Sequence, residues 1–379
     1  MEKVMVVFGT RPEAIKMAPV VKACTVRPEL EVKVCVTAQH RQMLDQMMEI
    51  FGLSADFDLN VMAPDQTLGD VTCKVLKGME GVFAQWKPDK VLVQGDTTTV
   101  MAAALAAFYH KIEVGHVEAG LRSGNIYSPW PEEMNRLIAG CLATQHYAPT
   151  PRSRDNLLRE GKNPATVFTT GNTVIDSLHE AVRIMDADVA LTARLAAQFP
   201  FLDPAKRLVL VTGHRRENFG EGFIHVCNAI ARVAKREDVQ VVYPMHMNPN
   251  VRKPVNAMLG GLPNVHLIEP LDYLSFLFMM RKSYLIMTDS GGVQEEAPSL
   301  GKPVIVMRDT TERPEAVDAG TVILAGTETK AMASAAERLL DDSAFYDRMA
   351  HAVNPYGDGK AAARIAEIVA TGRLTNPFA

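Results

Sequence analysis

The sequence predicts an α/β fold of two doubly wound, Rossmann-like lobes with a central cleft. Short valine-rich runs alternate with helical stretches along most of the chain, and a strand–helix–strand rhythm implies parallel sheets with right-handed crossovers. The rhythm pauses in a helical, Ala- and Asp-rich stretch at 184–198, followed by Pro200 and Pro204, and then restarts. The 379 residues leave room for two domains at about 150 residues each. The expected lobes are residues 1–171 and 172–359, with the tail at about 360–379 packed back on the first.

Residues 4–8 open the first lobe as a buried strand, being short, apolar and bounded by turn residues. A helix at 14–24, a strand at 32–37 and helices at 43–51 and 68–85 follow. Next come a strand at 91–94, an alanine-rich helix at 98–109 and a strand at 113–117. The second lobe has strands at 207–212, 239–243, 265–268, 285–288 and 304–307. A loop of Asn354-Pro355-Tyr356-Gly357-Asp358-Gly359 then leads to an amphipathic helical pattern at 361–371, which would suit either lobe.

Apolar residues make up 47% and charged residues 22%, the balance of a globular chain rather than a disordered, collagen-like or coiled-coil one. The 40 Lys and Arg against 44 Asp and Glu give a net charge of −4. That lacks the basic surplus of a nucleic-acid binder, so nucleic acid is not an expected partner. The cysteines, at 24, 35, 73, 141 and 227, are odd in number with no CxxC spacing; reduced thiols fit better than disulfides or zinc. The start has no signal-peptide architecture, and no apolar stretch reaches the roughly 18–20 residues that span a bilayer. A cytoplasmic protein without membrane insertion is expected. No HExxH and no histidine–cysteine cluster appears, so no metal is expected, and the lone His246 reads as a polar contact.

Open α/β sheets bind ligands at the carboxyl ends of their strands, and here the polar motifs follow strands. Gly9-Thr10-Arg11-Pro12-Glu13 comes directly after the first, opening a helix that carries Lys16. Glycine permits the tight turn and proline suits the first helical turn; the helix N-terminus with Arg11 and Lys16 would attract an anion. The bland alternative is a plain turn with two solvated cations. No GxGxxG or GxxxxGK[ST] occurs, so neither dinucleotide redox chemistry nor a P-loop is supported.

Gly95-Asp96-Thr97-Thr98-Thr99 follows the strand at 91–94. A threonine there can cap the next helix, while Asp96 is balanced between capping and function. In Gly115-His116-Val117-Glu118-Ala119-Gly120-Leu121-Arg122, an ionisable pair at the end of an apolar strand is costly unless used or paired. His116 reads as a satisfied core histidine and Glu118 as an acid/base candidate. Ser128-Pro129-Trp130-Pro131 leads to Glu132 and Glu133, which favour a helix dipole but also suit a catalytic wall. Asp96, Glu118 and Glu132 could therefore converge.

The second lobe supplies cations and glycines. Gly213-His214-Arg215-Arg216-Glu217-Asn218 follows one strand, and Asp289-Ser290-Gly291-Gly292-Val293-Gln294-Glu295-Glu296 follows another. Ser290, Gly291 and Gly292 leave backbone N–H groups bare, the physical form of a phosphate cradle. Glu296 could accept from a ribose diol. Arg308-Asp309-Thr310-Thr311-Glu312-Arg313-Pro314-Glu315 adds Arg308 and Arg313 after the next strand.

Together these blocks resemble the signature blocks of the non-hydrolysing UDP-N-acetylglucosamine 2-epimerases, in order and over essentially the whole chain. The resemblance implies a fold like the two-lobed GT-B glycosyltransferases and a cytoplasmic homodimer making UDP-N-acetylmannosamine for surface polysaccharide, with no cofactor. By resemblance, Arg11, Lys16 and His214 would hold the diphosphate with Ser290, Gly291 and Gly292. Glu296 would take the ribose, Arg313 would join the nucleotide site, and Phe276 would pack beside uracil. Leu271 stands where some members have a glutamine. Asp96, Glu118 and Glu132 match the family's acid/base carboxylates, with His214 grouped beside them as catalytic. Gln39, Gln42, Arg215 and His246 match positions proposed for a second, activating UDP-N-acetylglucosamine.

Inverting C2 is hard because no carbonyl acidifies its hydrogen, and no nicotinamide site offers a redox route. Elimination of UDP to 2-acetamidoglucal, then re-addition, requires cations for the diphosphate and acids for two faces, and the motifs supply both. A hydrolysing epimerase, a glycosyltransferase using the same nucleotide sugar and a silent nucleotide-sugar sensor are the competing readings.

Overall fold

A computed structural model describes residues 1–37, 41–63, 65–213 and 220–378, with the backbone alone at 41 and 42. The chain divides into two compact units, Met1–Ala181 with Tyr356–Ala379, and Val182–Pro355.

The first unit runs β1 (Glu2–Phe8), α1 (Arg11–Thr25), β2 (Leu30–Val36), α2 (Arg41–Ile50), β3 (Phe57–Asp58), α3 (Leu68–Gln85), β4 (Lys90–Gln94) and α4 (Thr98–Tyr109). It continues with β5 (Glu113–Val117), α5 (Glu132–Leu142), β6 (Gln145–Ala148), α6 (Pro151–Arg159), β7 (Val167–Thr169) and α7 (Thr173–Ala187). Among the described residues its sheet has seven strands, in the order β3-β2-β1-β4-β5-β6-β7, and the paired strands are parallel. The order reverses between β1 and β4, so the carboxyl ends of those strands flank a switch point, where α/β sheets receive ligands. Met5, Val7, Val91 and Val93 pack beneath Val75, Met79, Val100 and Ala104 of α3 and α4. Strands covered on both faces explain the unbroken valine runs.

The second unit holds α8 (Val189–Ala197), β8 (Arg207–Thr212), α9 (Glu221–Val233), β9 (Val239–Pro244), α10 (Pro249–Leu259), β10 (Val265–Ile268) and α11 (Tyr273–Lys282). After these come β11 (Leu285–Thr288), α12 (Gly291–Glu296), β12 (Val304–Val306), α13 (Pro314–Asp318), β13 (Val322–Leu324), α14 (Thr329–Asp341) and α15 (Ser343–Ala350). Its six described strands lie in the order β10-β9-β8-β11-β12-β13, with the switch between β8 and β11. The last helix, α16 (Ala361–Thr371), returns to the first unit and packs on α1.

Two expectations need correction. The helix at 184–198 is the end of α7 plus α8, because Asp188 leaves the helical path and its side chain accepts from Leu191 N. The division falls at Ala181 rather than at 171, because the first half of α7 is tied to the first unit. Ser177 Oγ donates to the Ile15 carbonyl, and the Asp176 carboxylate accepts the N–H groups of Ala362 at 2.9 Å and Ala361 at 3.2 Å. Asn172 N, donating to the Tyr356 carbonyl at 2.6 Å, ties residues 356–359 to the first unit as well. Strands β3, β6, β7 and β13 had no counterpart in the sequence reading.

Among the described residues no helix is long and apolar enough to cross a membrane, and no three His, Cys, Asp or Glu side chains gather as a metal site would require.

Candidate active site

The turn after β1 is built by a reciprocal cap. Thr10 Oγ1 accepts from Glu13 N–H, while Glu13 Oε2 accepts from Gly9 N at 3.0 Å and Thr10 N at 2.7 Å. Glu13 is buried, which pushes its carboxyl up despite these bonds. Its other oxygen accepts from Thr97 Oγ1 at 2.7 Å, and Thr97 in turn caps α4 through Val100 N. Glu13 thus fastens the turns after β1 and β4 to each other. A Cβ on Gly9 would lie 1.9 Å from Thr37 Oγ1, so this turn accepts only glycine. Arg11 is half-buried at the start of α1.

Asp96 follows the turn at Gly95, where φ is +80°. Its Oδ2 lies 2.6 Å from Arg136 Nη2, and its backbone carbonyl accepts from Asn135 Nδ2 at 2.9 Å. Burial pushes the Asp96 carboxyl up; Arg136 and Lys16 oppose that, and Glu118 adds to it. His116 is buried, and its Nε2 lies 2.7 Å from the Gly95 carbonyl. Burial drives His116 down to about 4, so it is a neutral core histidine.

Glu118 directly follows β5 with φ of +62°, a left-handed backbone uncommon outside glycine. That turn brings the carboxylate back over the strand ends. Lys16 Nζ lies 2.5 Å from its Oε1, Asn172 Nδ2 donates to the same oxygen at 3.1 Å, and Gln94 Nε2 donates to Oε2. A Cβ on Gly95 would lie 3.6 Å from Glu118 Oε2. Asp96 and Glu118 therefore face one region above β4 and β5, each beside its own cation.

Glu132, half-buried, is the first residue of α5. Asn135 and Arg136 lie three and four positions on, which puts Glu132 on the helix face that meets Asp96. Its neighbour Glu133 holds the preceding loop: Oε1 accepts from Ser123 N and Gly124 N at 3.0 Å each, and Oε2 from Arg136 Nη1 at 3.0 Å.

In the second unit, Ser290–Gly292 begins α12 after β11, at the switch point. Arg313 lies against it: Nε is 2.7 Å from Glu295 Oε1, a buried carboxylate, and a Cβ on Gly291 would approach Arg313 Cζ to 2.7 Å. Glu296 is half-buried, and its Oε2 would be 3.8 Å from a Cβ on Gly292. Leu271 and Phe276, both half-buried, flank the start of α11, with Phe276 N donating to Asp272 O at 2.9 Å. His246 is exposed, and its Nδ1 accepts from Asn248 N at 3.1 Å. Gln39, His214 and Arg215 lie outside the described residues, as does the side chain of Gln42.

Sequence reading picked out the ionisable groups but not their holders. Gln94, Asn172, Asn135 and Arg136 carried no assigned role. The available signal was polar residues at buried positions: Gln94 ends a wholly buried strand, and Asn172 and Asn135 are both buried.

Residues 22–370 match the family model described as UDP-N-acetylglucosamine 2-epimerase. The UDP-N-acetylglucosamine 2-epimerase of Escherichia coli (strain K12) is 56% identical over 375 residues, covering 98% of this chain and 100% of that protein. The enzyme of the same name from Campylobacter jejuni is 52% identical over 377 residues, 98% of each chain. Among solved structures, UDP-GlcNAc 2-epimerase from Neisseria meningitidis bound to UDP-GlcNAc superposes with a TM-score of 0.90 at 50% identity, covering 97% of this chain and 99% of that one. Family match, identity over nearly full length and shared architecture agree: the chain belongs to the UDP-N-acetylglucosamine 2-epimerase family.

Proposed function

We propose that the protein is an isomerase interconverting UDP-N-acetylglucosamine and UDP-N-acetylmannosamine at C2 without hydrolysis. The carrying observation is the pair of carboxylates, Asp96 and Glu118, brought to one region with Arg136 and Lys16 beside them. The bond from C1 to the diphosphate oxygen breaks and its electron pair leaves with UDP. A carboxylate removes the C2 proton, and the C–H pair becomes the C1–C2 double bond of 2-acetamidoglucal. UDP then adds back to C1 while C2 is protonated on its other face. Asp96, Glu118 and Glu132 are the acid/base candidates, and positioned proton transfer is worth on the order of 10²–10⁴ in rate.

Arg11, Lys16 and His214 are assigned to the diphosphate, with the N–H groups of Ser290, Gly291 and Gly292. Glu296 is assigned to the ribose, Arg313 to the nucleotide, and Phe276 with Leu271 to the base. The lysine at 2.5 Å from Glu118 supports this reading, because departing negative charge and the proton acceptor then share one neighbourhood. Gln39, Gln42, Arg215 and His246 are assigned to an activating second nucleotide sugar. A cytoplasmic homodimer that needs no cofactor and supplies N-acetylmannosamine units to surface polysaccharide follows the family resemblance.

Incubation with UDP-N-acetylglucosamine in deuterated water, read by mass and NMR, tests the reaction. Deuterium at C2 of UDP-N-acetylmannosamine without free sugar is the expected result. Retention of the original hydrogen in the product would remove the elimination route, and free N-acetylmannosamine would mark a hydrolysing enzyme.

A further inference from the structure

Asn172 reaches Glu118 from the far side of the first unit's sequence, out of the turn between β7 and α7. It is buried, and its side chain is oriented at both ends. Oδ1 accepts from Val174 N at 3.1 Å, which leaves the amide nitrogen, the donor end, directed to Glu118 Oε1 at 3.1 Å. Its backbone is fixed as well, with Asn172 N donating to Tyr356 O at 2.6 Å and Asn172 O accepting from Ile175 N at 3.1 Å. Space around it is tight: a Cβ on Gly357 would lie 3.3 Å from Asn172 O and 3.1 Å from Ile175 Cγ1. The amide is therefore a rigid donor, built from a helix start on one side and the returning chain on the other.

We infer that Asn172 is a positioning residue for the proposed reaction, fixing the Glu118 carboxylate so that it meets C2 in one orientation. The inference rests on Glu118 acting as an acid/base group. Lys16 supplies charge to Glu118, whereas Asn172 supplies direction without charge. Lys16 stands on a long, flexible stem; the short amide does not swing. Glu118 holds a left-handed backbone, a conformation that persists where the surroundings over-determine it, and the bond from Asn172 is one such determinant.

Asn172→Ser separates positioning from folding. The serine hydroxyl can still accept from Val174 N–H, so the start of α7 keeps its cap, but it is too short to reach Glu118 and adds no charge beside it. The expected result is a kcat roughly 100-fold lower, the scale of a misplaced catalytic group, with KM and UDP affinity within about threefold of the parent and a melting temperature close to the parent's. Asn172→Ala loses donor and cap together, so its melting temperature falls while its kcat loss matches that of the serine variant. Asn172→Ser with parental kcat overturns the inference, as does a loss of UDP affinity and stability in step with kcat. The unsubstituted protein is assayed alongside. If it fails to form UDP-N-acetylmannosamine, the reading of the site falls and this inference with it; parental turnover in Asn172→Ser removes this inference alone.

Discussion

Lys16 of α1 and Glu118 at the end of β5 form an ion pair of 2.5 Å, with side chains only 15% and 6% exposed. A pair this sheltered is coupled to both folding and reactivity. Removing one partner strands the other charge, which costs about 3–5 kcal/mol in a buried setting. Lys16→Met and Glu118→Gln should each lower stability, and the double variant should recover part of the loss. Urea unfolding of the four proteins checks this, and additive losses would show the pair to be uncoupled. Turnover should stay below about 1% of the parent in Glu118→Gln and in the double variant, since recovering stability does not restore the acid.

Arg136 governs the ionisation of Asp96. Burial and Glu118 push that carboxyl up, and Arg136 is the leading influence in the other direction. Arg136→Ala should therefore move the acidic limb of the kcat/KM profile to higher pH, and Arg136→Lys should return it most of the way. A pH–rate series on the three proteins reads this directly. Asp96→Asn should flatten that limb and lower turnover by about 10²–10⁴, leaving UDP affinity nearly unchanged.

Neighbouring glycines at 291 and 292 should respond differently to the same methyl group. At Gly291 the new Cβ would press on Arg313, which its ion pair with Glu295 holds in place; overpacking of this kind costs about 1–3 kcal/mol. At Gly292, an exposed residue, the nearest contact is 3.8 Å. Gly291→Ala should lower melting temperature and weaken UDP binding by calorimetry. Gly292→Ala should keep its melting temperature.

Stability against pH carries two opposed contributions. His116 and His146 are register partners on β5 and β6, and burial lowers them to about 4 and about 3. Free histidine titrates near 6.5, so the unfolded chain takes up protons that the folded chain refuses. Stability from this pair is present above pH of about 6.5 and falls as pH drops. Asp176 runs the other way: burial raises it to about 6, so its contribution is full below pH of about 4 and fades as pH rises through 6. The raised carboxyls of Glu13 and Asp96 act in the same direction as Asp176. Asp176→Asn should therefore make stability rise more steeply with pH around pH 5, and His146→Asn should make it rise less steeply. Urea midpoints between pH 4 and 7 measure both.

Strands such as β1 and β4 show in the sequence because nothing interrupts their apolar runs. β6 hides because Gln145 and His146 break its pattern, and β3 is too short, at two residues, to have one. The carboxylates Asp96 and Glu118 are legible because a charge at the end of an apolar strand is expensive unless used. Their holders are not. Gln94 and Asn172 are neutral amides that draw no notice in a linear pattern, and their value arises only when the fold closes 24 and 54 residues of chain. Arg136 sat inside a motif already noted, but its reach to Asp96 depends on where α5 starts, which the proline-rich loop before it conceals.

The first unit is assembled from two stretches of chain, with the second unit inserted between them. Order of synthesis therefore differs from order of completion. The inserted unit has all of its own residues once position 355 has left the ribosome, and can collapse at once. The earlier-made unit must wait for α16 to cover α1 and for Ala361 and Ala362 to reach Asp176. The half that carries the proposed acids is thus the last to be finished, and shortening the tail would injure the oldest part of the molecule rather than the newest.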